Sequence, residues 1–469
     1  MLNNIILNTD SYKTSHFVQY PPGTQYISSY IESRGQQQLD ILPPTDEIVH
    51  FGLQAFIKEY LLNPITMEDF YIAHDLYKKH GVPFYSEGWN YILNAHGGYL
   101  PLEIRALPEG TVVDKKVPQV EVVNTDPKCF WLTSYIETAL LRAVWYPSTV
   151  ATLSRETKKI IMDYLRLTCE KPDQEIGFKL HDFGCRGVSS NESAALGGMA
   201  HLVNFLGTDT VPALLAARKY YGEDIAGFSI PASEHSTMTA WGQGGESDAY
   251  ANMLKQFGGE GKLVACVSDS YDIYNACSKL WGEELRQQVK DMGGTLVVRP
   301  DSGNPVEMVH SVVTMLGERF GFDRNLKGYK VLRPCIRVIQ GDGVTPKTIR
   351  LILENLKQHG WSAENVAFGM GGALLQKVDR DTLKYAMKAN AIKLEDGKWR
   401  DVYKDPVTDS GKTSKRGRVS VLRDIDGFHY YMATASLDEC DEDRLVPTYR
   451  NGELLQDYSF GEVRLNASI

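Results

Sequence analysis

The chain has 469 residues, 43% of them hydrophobic and 23% charged, with a formal net charge of −9. That length supplies two or three domains, or one large barrel with additions. The acidic balance argues against a general nucleic-acid binder, whose surface would be basic, and no apolar run reaches the roughly 20 residues that span a bilayer.

The N-terminal MLNNIILNTDSYK has no charged n-region and meets Asn, Asp and Lys too early for a signal peptide. The cysteines (Cys129, Cys169, Cys185, Cys266, Cys277, Cys335 and Cys440) are dispersed without a CxxC pair. That is the pattern of reduced thiols in a cytoplasmic protein. Residues 1–170 mix helix-like segments (EIVHFGLQAFIKEYLL and PKCFWLTSYIETALLRAVWY) with short alternating strands such as TQYISSYIESR and LEIRALPEGTVV.

From residue 171 to 390 a unit repeats in kind, though not in sequence. An apolar, β-branched run leads into a loop rich in Asp, Gly, Ser or His, and then into a helix. The runs are GFKLHDFGCRG, LVNFLGTDT, AGFSIPASEHST, KLVACVSDSYD, TLVVRPDSGNP, CIRVIQGDGV and NVAFGMGGA. Helical stretches follow several of them: VPALLAARKYY, DIYNACSKLWGEELRQQV, PVEMVHSVVTML and TPKTIRLILENLKQH. Such alternation predicts an α/β fold with a parallel sheet, here an irregular, TIM-like βα barrel. Residues 391–469 close with RVSVLRDIDGFHYYMATAS, a hairpin turning at Asp426-Gly427. They are expected to join residues 1–170 in a flanking α+β domain. Between barrel and hairpin lies KDPVTDSGKTSKRGR (404–418), a polar, basic loop expected to move when empty.

The polar clusters all fall just after the apolar runs, where βα barrels keep their active sites. Gln340-Gly341-Asp342-Gly343 and Gly369-Met370-Gly371-Gly372 each promise a glycine loop followed directly by a helix. Free backbone N–H groups and a helix N-terminus there suit a phosphate, although glycine often only makes a turn. In Arg299-Pro300-Asp301-Ser302-Gly303, Asp301 suits ribose hydroxyls or a Mg²⁺ shell and Arg299 an anion or a carbonyl; a salt-bridged turn is the plainer reading. Asp269 holds the same position one unit earlier, where Ser268 or Asp269 also qualifies as a helix N-cap. Two carboxylates near two phosphate loops fit Mg²⁺–pyrophosphate chemistry. His235, after Glu234 at a strand end, suits a nucleophile or base. No ligand-spaced Cys or His surrounds it, so zinc is not expected there. In His181-Asp182-Phe183-Gly184-Cys185-Arg186-Gly187, Phe183 suits ring stacking or the core, and Arg186 an anion.

Taken in order, TDSYKTSHFVQYPPGT, HDFGCRGVSS, GTDTV, PASEHST, VSDSYDIYNAC, RPDSGNP, RVIQGDGV, GMGGALLQK and KDPVTD resemble the nicotinamide phosphoribosyltransferases of the type II phosphoribosyltransferase family over essentially the whole chain. The resemblance implies a homodimer whose active sites lie at the interface, with nicotinamide, phosphoribosyl pyrophosphate and ATP as substrates and Mg²⁺ as cofactor. It implies that Phe183 stacks on one face of nicotinamide and Tyr12 of the other subunit on the opposite face. Asp209 would accept from the carboxamide, with Arg299 close to the ring. Asp301 would bind ribose, and Gly341, Asp342, Gly371, Gly372 and Arg186 the 5′-phosphate region. Arg34, Arg380, Lys388, Lys404 and Lys415 would gather the pyrophosphate from both subunits. Asp269 and Asp301 would organise Mg²⁺, and His235 would carry a phosphoryl group from ATP.

Asp209 favours an amide, which donates, over the carboxylate of nicotinate, which it would repel. Cys185 stands where the family pattern has Tyr, and Met370 and Ala373 depart slightly in the glycine loop. Competing readings are a nicotinate-using sister enzyme and a non-catalytic binding protein on the same scaffold. A glycosidase would lack phosphate loops, and an aldolase would need a strand-end lysine that no loop supplies.

Overall fold

The computed structural model describes residues 4–36, 40–408, 412–424, 427, 429–434 and 442–468. Among them, six strands form one all-parallel sheet in the spatial order Gly207–Thr208, Leu180–Asp182, Val366–Met370, Ile336–Gln340, Thr295–Arg299, Leu263–Val267. Residues 228–232 run between the two edges of that sheet. Phe228 bridges Gly207 on one side and Ala232 bridges Ala265 on the other. Thr208 N donates to Phe228 O at 3.0 Å and Ala265 N to Pro231 O at 2.9 Å. The seven expected units therefore close into a parallel barrel. Its inside is a small packed cluster of Ala265, Val297 and Ile339 against Ile230, Ala367 and Phe183. Strands buried on both faces need unbroken apolar runs, which is how these segments read.

Helices Val211–Tyr221, Glu246–Phe257, Pro305–Phe320 and Pro346–Gln358 each bury one stripe at three- and four-residue spacing. Val211–Tyr221 matches its expected bounds, and Pro305–Phe320 and Pro346–Gln358 start on a proline whose missing N–H costs nothing at the first turn. Glu137–Thr168 is the longest helix, 32 residues, and it runs through Pro147.

Residues 47–62 depart from the expected helix. Glu47–Val49 is a strand paired with Val112–Asp114, and helical turns begin only at Leu53. The long helix supplies the reason. Thr152 Oγ1 accepts from Val49 N at 3.0 Å and Ser148 Oγ from Phe51 N at 3.0 Å, so hydroxyls take the backbone donors a helix would use. Gly52, at φ +105°, lies against the proline step: a Cβ there would stand 2.6 Å from Pro147 Cγ and 2.8 Å from Ala143 O. Buried Glu109 then accepts from Gly52 N and Gln54 N and stands in as the missing cap.

A second sheet is antiparallel. Its order is Trp399–Asp401, Tyr385–Leu394, Thr24–Ser33, Pro118–Asn124, Leu102–Ala106, Val446–Arg450, Glu453–Leu454, so strands from both ends of the chain share it. The strand Tyr385–Leu394 belongs here and not to the barrel, which corrects the boundary at 390: the changeover comes before Tyr385. The expected hairpin forms by antiparallel pairing of Arg418–Arg423 with His429–Thr434. Its turn residue Asp426 lies outside the described residues, as do residues 409–411 of the basic loop. Fully buried Glu121 fixes the hairpin to the sheet. Arg418 Nε donates to it at 2.8 Å and Arg105 Nη1 at 3.0 Å. Burial alone would raise the Glu121 carboxyl, but the two guanidinium groups hold it below the usual range. Among the described residues no helix is long and apolar enough to cross a membrane.

Candidate active site

The barrel mouth gathers side chains from neighbouring strand ends. Phe183 follows Leu180–Asp182, and its N–H donates to Met370 O at 3.0 Å, which continues the ladder one residue past the strand. That register presses the ring onto the next strand. A Cβ at Gly369 would stand 2.0 Å from Phe183 Cε2, so only glycine fits beneath it. At Gly341 a Cβ would stand 3.1 Å from Asp301 Oδ1, 3.6 Å from Phe183 Cε2 and 3.7 Å from Arg299 Cδ. Ring, carboxylate and guanidinium thus converge on one bare stretch of backbone.

Asp269 organises the adjoining strand ends. It is not the cap of the following helix; Asp272 is, accepting from Tyr274 N and Asn275 N. Asp269 Oδ1 lies 3.1 Å from His235 Nε2. Its Oδ2 accepts from Asp301 N at 3.1 Å and from the Ser302 hydroxyl. Arg299 Nη2 donates to Asp301 Oδ2 at 2.9 Å, so the salt-bridged turn does form, at the mouth itself. His235 Nδ1 is 3.9 Å from the same oxygen. The Asp269 side chain is 4% exposed while that of His235 is 45% exposed, so a buried carboxylate holds a reachable imidazole. With Nε2 turned to Asp269, Nδ1 is the nitrogen left for chemistry.

On the far side of Phe183, Asp209 is exposed just past Gly207–Thr208. Its N–H donates to Asp182 O at 3.0 Å, and its carboxylate accepts from the Ser229 hydroxyl. Asp182 is buried beneath, Oδ1 accepting from Gly184 N at 2.7 Å. Burial pushes its carboxyl up to about 6 against that hydrogen bond. Burial also lowers His181, against the pull of Asp209.

The two glycine loops differ. Gly371 leads directly into the single turn Gly372–Leu375, and the Cys185–Gly187 turn that carries exposed Arg186 lies over it: a Cβ at Gly187 would be 3.5 Å from Gly372. After Gln340–Gly343, however, the helix starts only at Pro346, and a Thr345–Thr348 capping box takes its free donors. Asp342 is exposed in that loop, held by Gln340 Nε2 donating to its carbonyl at 2.8 Å.

The other expected site residues sit elsewhere, on the antiparallel sheet and its loops. Arg34 follows the strand Thr24–Ser33, with Nε 3.7 Å from Glu32 Oε1 and, among the described residues, no hydrogen-bond partner for Nε or Nη2. Lys415 pairs with the same Glu32, and its N–H donates to Tyr30 OH at 2.8 Å. Burial lowers Lys415 and Lys388. Arg34 depresses both, and Lys404 and Lys13 add to the effect on Lys388, so these cations feel one another. Arg380 is exposed beside Asp381 at 3.2 Å. Tyr12, 61% exposed, projects from the Ser11–Val18 turns.

Sequence reasoning missed Ser229, Ser302 and Lys13. Lone hydroxyls and a lone lysine have no spacing to betray them. Ser302 alone had a signal, its place beside Asp301.

The nicotinate phosphoribosyltransferase (NAPRTase) family matches residues 178–453, and the nicotinamide phosphoribosyltransferase N-terminal domain matches residues 4–104. A nicotinamide phosphoribosyltransferase of Xanthomonas campestris is 52% identical over 99% of this chain and 98% of its own. One from Acinetobacter baylyi is 34% identical over 97% and 95%. Among solved structures, nicotinate-nucleotide pyrophosphorylase from Pyrococcus furiosus superposes with a TM-score of 0.63 at 16% identity, covering 99% of this chain and 95% of the other. Human nicotinic acid phosphoribosyltransferase gives 0.53 at 15%, covering 98% and 92%. With the closed barrel and its converging mouth, these matches show that the chain belongs to the nicotinate phosphoribosyltransferase family, with the N-terminal domain of its nicotinamide-type members.

Proposed function

We propose that this chain transfers the phosphoribosyl group of phosphoribosyl pyrophosphate to nicotinamide, giving nicotinamide mononucleotide and pyrophosphate in NAD biosynthesis. The observation that carries this reading is the convergence of Phe183, Arg299 and Asp301 on Gly341. A flat ring stacked on Phe183 sits at the same mouth as groups suited to ribose. In the reaction the C1–O bond to pyrophosphate breaks, the ribose becomes oxocarbenium-like, and the pyridine nitrogen supplies the electron pair of the new C1–N bond. Asp301 steadies the positive ribose, and the backbone of Gly341, Asp342, Gly371 and Gly372 holds the 5′-phosphate and the nearby ribose.

Asp269 and Asp301 suit Mg²⁺ held mainly by substrate oxygens and water, because Asp269 already accepts from protein donors on both oxygens. Mg²⁺ bound there would offset the charge of the leaving pyrophosphate.

Arg34, Arg380, Lys388, Lys404 and Lys415 gather that pyrophosphate from both subunits of a homodimer, in which Tyr12 of the second copy covers the nicotinamide ring. Two facts support this. Lys388 lies in the antiparallel sheet and the other four in the segments that flank its strands or the hairpin, and the lowering of Lys388 and Lys415 by burial and by neighbouring cations is relieved by an anion. His235 takes the γ-phosphoryl of ATP on Nδ1 while Asp269 keeps the Nε2 proton; the bond from phosphorus to ADP breaks, and later hydrolysis returns orthophosphate. The six described cysteines are free thiols, which supports a cytoplasmic setting.

The test is product formation from phosphoribosyl pyrophosphate with nicotinamide or nicotinate, with and without ATP. Nicotinamide mononucleotide from the amide, enhanced by ATP, supports the reading; turnover of nicotinate alone overturns it. Asp209→Asn should lower the preference for nicotinamide by about tenfold, the worth of one charged hydrogen bond, and leave phosphoribosyl pyrophosphate binding unchanged. Unaltered preference would remove Asp209 from this role. His235→Ala should return the rate to its ATP-independent level, and stimulation that persists would exclude the phosphohistidine.

A further inference from the structure

Outside the barrel, three metal-ligating side chains of different chemistry meet. Asp126 precedes the single 3₁₀ turn Pro127–Cys129 and caps it, Oδ1 accepting from Lys128 N at 2.8 Å. With three residues per turn, side chains at positions 126 and 129 fall on one side. His96 ends the helix Ser86–Ala95, its own N–H bonded to Ile92 O, and its ring turns to the same place. His96 Nε2 is 2.9 Å from Asp126 Oδ2. One ligand atom each from His96, Asp126 and Cys129 lies within 4.8 Å of the others. We propose that these three side chains bind a transition-metal dication of the zinc class, at a site separate from the catalytic mouth.

The donor set selects the class. One imidazole nitrogen, one carboxylate oxygen and one sulfur suit zinc-like ions; magnesium and calcium want oxygens throughout. Three protein ligands leave a fourth position for water. Around a tetrahedral zinc, ligand atoms sit roughly 3.3–3.8 Å apart, so the His96–Asp126 pair, now 2.9 Å apart, would open slightly and any wider spacing to the thiol would close by at most about 1 Å.

The surroundings orient the ligands. Tyr91 OH donates to Asp126 Oδ2 at 2.9 Å, and with the Lys128 backbone it fixes the carboxylate plane, as outer partners of ligating carboxylates do. The Lys128 ammonium stacks 4.7 Å from the centre of the Tyr91 ring, clear of the carboxylate. Exposure is graded: the His96 side chain is 22% exposed, Asp126 16%, and Cys129 is fully buried, so an ion enters past His96.

Charge balance favours a dication. A neutral imidazole, a carboxylate and a thiolate sum to −2, which M²⁺ cancels in a buried place. A ligating cysteine is a thiolate, so binding releases the Cys129 proton. The consequence is structural: the ion ties the end of one flanking helix to the turn that leads into the long helix, and it stabilises the folded state by linkage.

The test is a Co²⁺ titration of the purified full chain followed by absorption. A saturable thiolate-to-cobalt charge-transfer band at one equivalent is expected, lost in both Cys129→Ser and His96→Ala. Zn²⁺ should raise the melting temperature of the wild type and leave that of the variants unmoved, while transfer to nicotinamide stays at wild-type rate in both. No band in the wild type, or a band that survives either substitution, overturns the proposal. Should Cys129→Ser fail to fold, His96→Ala decides alone, since its side chain is partly exposed.

Discussion

Gly369→Ala is expected to raise the KM for nicotinamide by roughly tenfold to a hundredfold while that for phosphoribosyl pyrophosphate stays near its wild-type value, since stacking on an aromatic side chain is worth about 1–3 kcal/mol. The new Cβ would stand 2.0 Å from Phe183 Cε2 and 2.1 Å from Cδ2. The backbone cannot yield, because Gly369 sits inside the strand Val366–Met370, paired with Leu180–Asp182. The ring must swing away, and overpacking of this kind also costs about 1–3 kcal/mol of stability. Phe183→Ala should give the same KM pattern without the crowding. Steady-state kinetics of the two variants settle the matter: an alanine at 369 that leaves the nicotinamide KM untouched would mean that Phe183 is not the stacking surface.

Asp301→Asn is expected to cut kcat/KM by about 10²–10³-fold, the usual size when one electrostatic contact pre-aimed at the transition state is lost. Asp301 sits where three influences meet: Arg299 at 2.9 Å, His235 Nδ1 at 3.9 Å, and its own N–H bonded to Asp269. The amide keeps the shape and removes the charge that opposes the oxocarbenium, so the fold should survive. Thermal melting alongside the kinetics separates the two effects. A variant with wild-type rates would take Asp301 out of the chemistry; one that melts early would mean the Arg299 pair serves structure first.

The barrel was legible because its strands are apolar without interruption and its loops concentrate Asp, His and Gly. Phe183, His235, Asp269, Arg299, Asp301 and Gly341 stood out as candidates for that reason, whereas Asp209 came only from the resemblance. Residues 47–62 misled because apolar spacing records which side of a segment is buried, not what satisfies its backbone. There the answer came from Ser148 and Thr152, about a hundred residues away. The antiparallel sheet was legible as strands and not as an order. Thr24–Ser33 pairs with Tyr385–Leu394 across some 360 residues, and local pattern carries no information about such a partner. Ser229 and Ser302 matter only for the carboxylates that they happen to touch.

The pairing of chain ends has a consequence for synthesis. The barrel strands run from Leu180 to Met370, so every one of them has left the ribosome before the last strands of the other sheet are made. That sheet opens with Thr24–Ser33 and lacks Val446–Arg450 until nearly the whole chain is out. Leu102–Ala106, which that strand covers, must wait as an open edge with its hydrogen-bonding groups bare. Nascent chains long enough for Met370 to have cleared the ribosome, but halted before Val446 emerges, should therefore hold a closed barrel and an unsealed sheet. That interval is where this protein is most open to capture by chaperones or by its own copies.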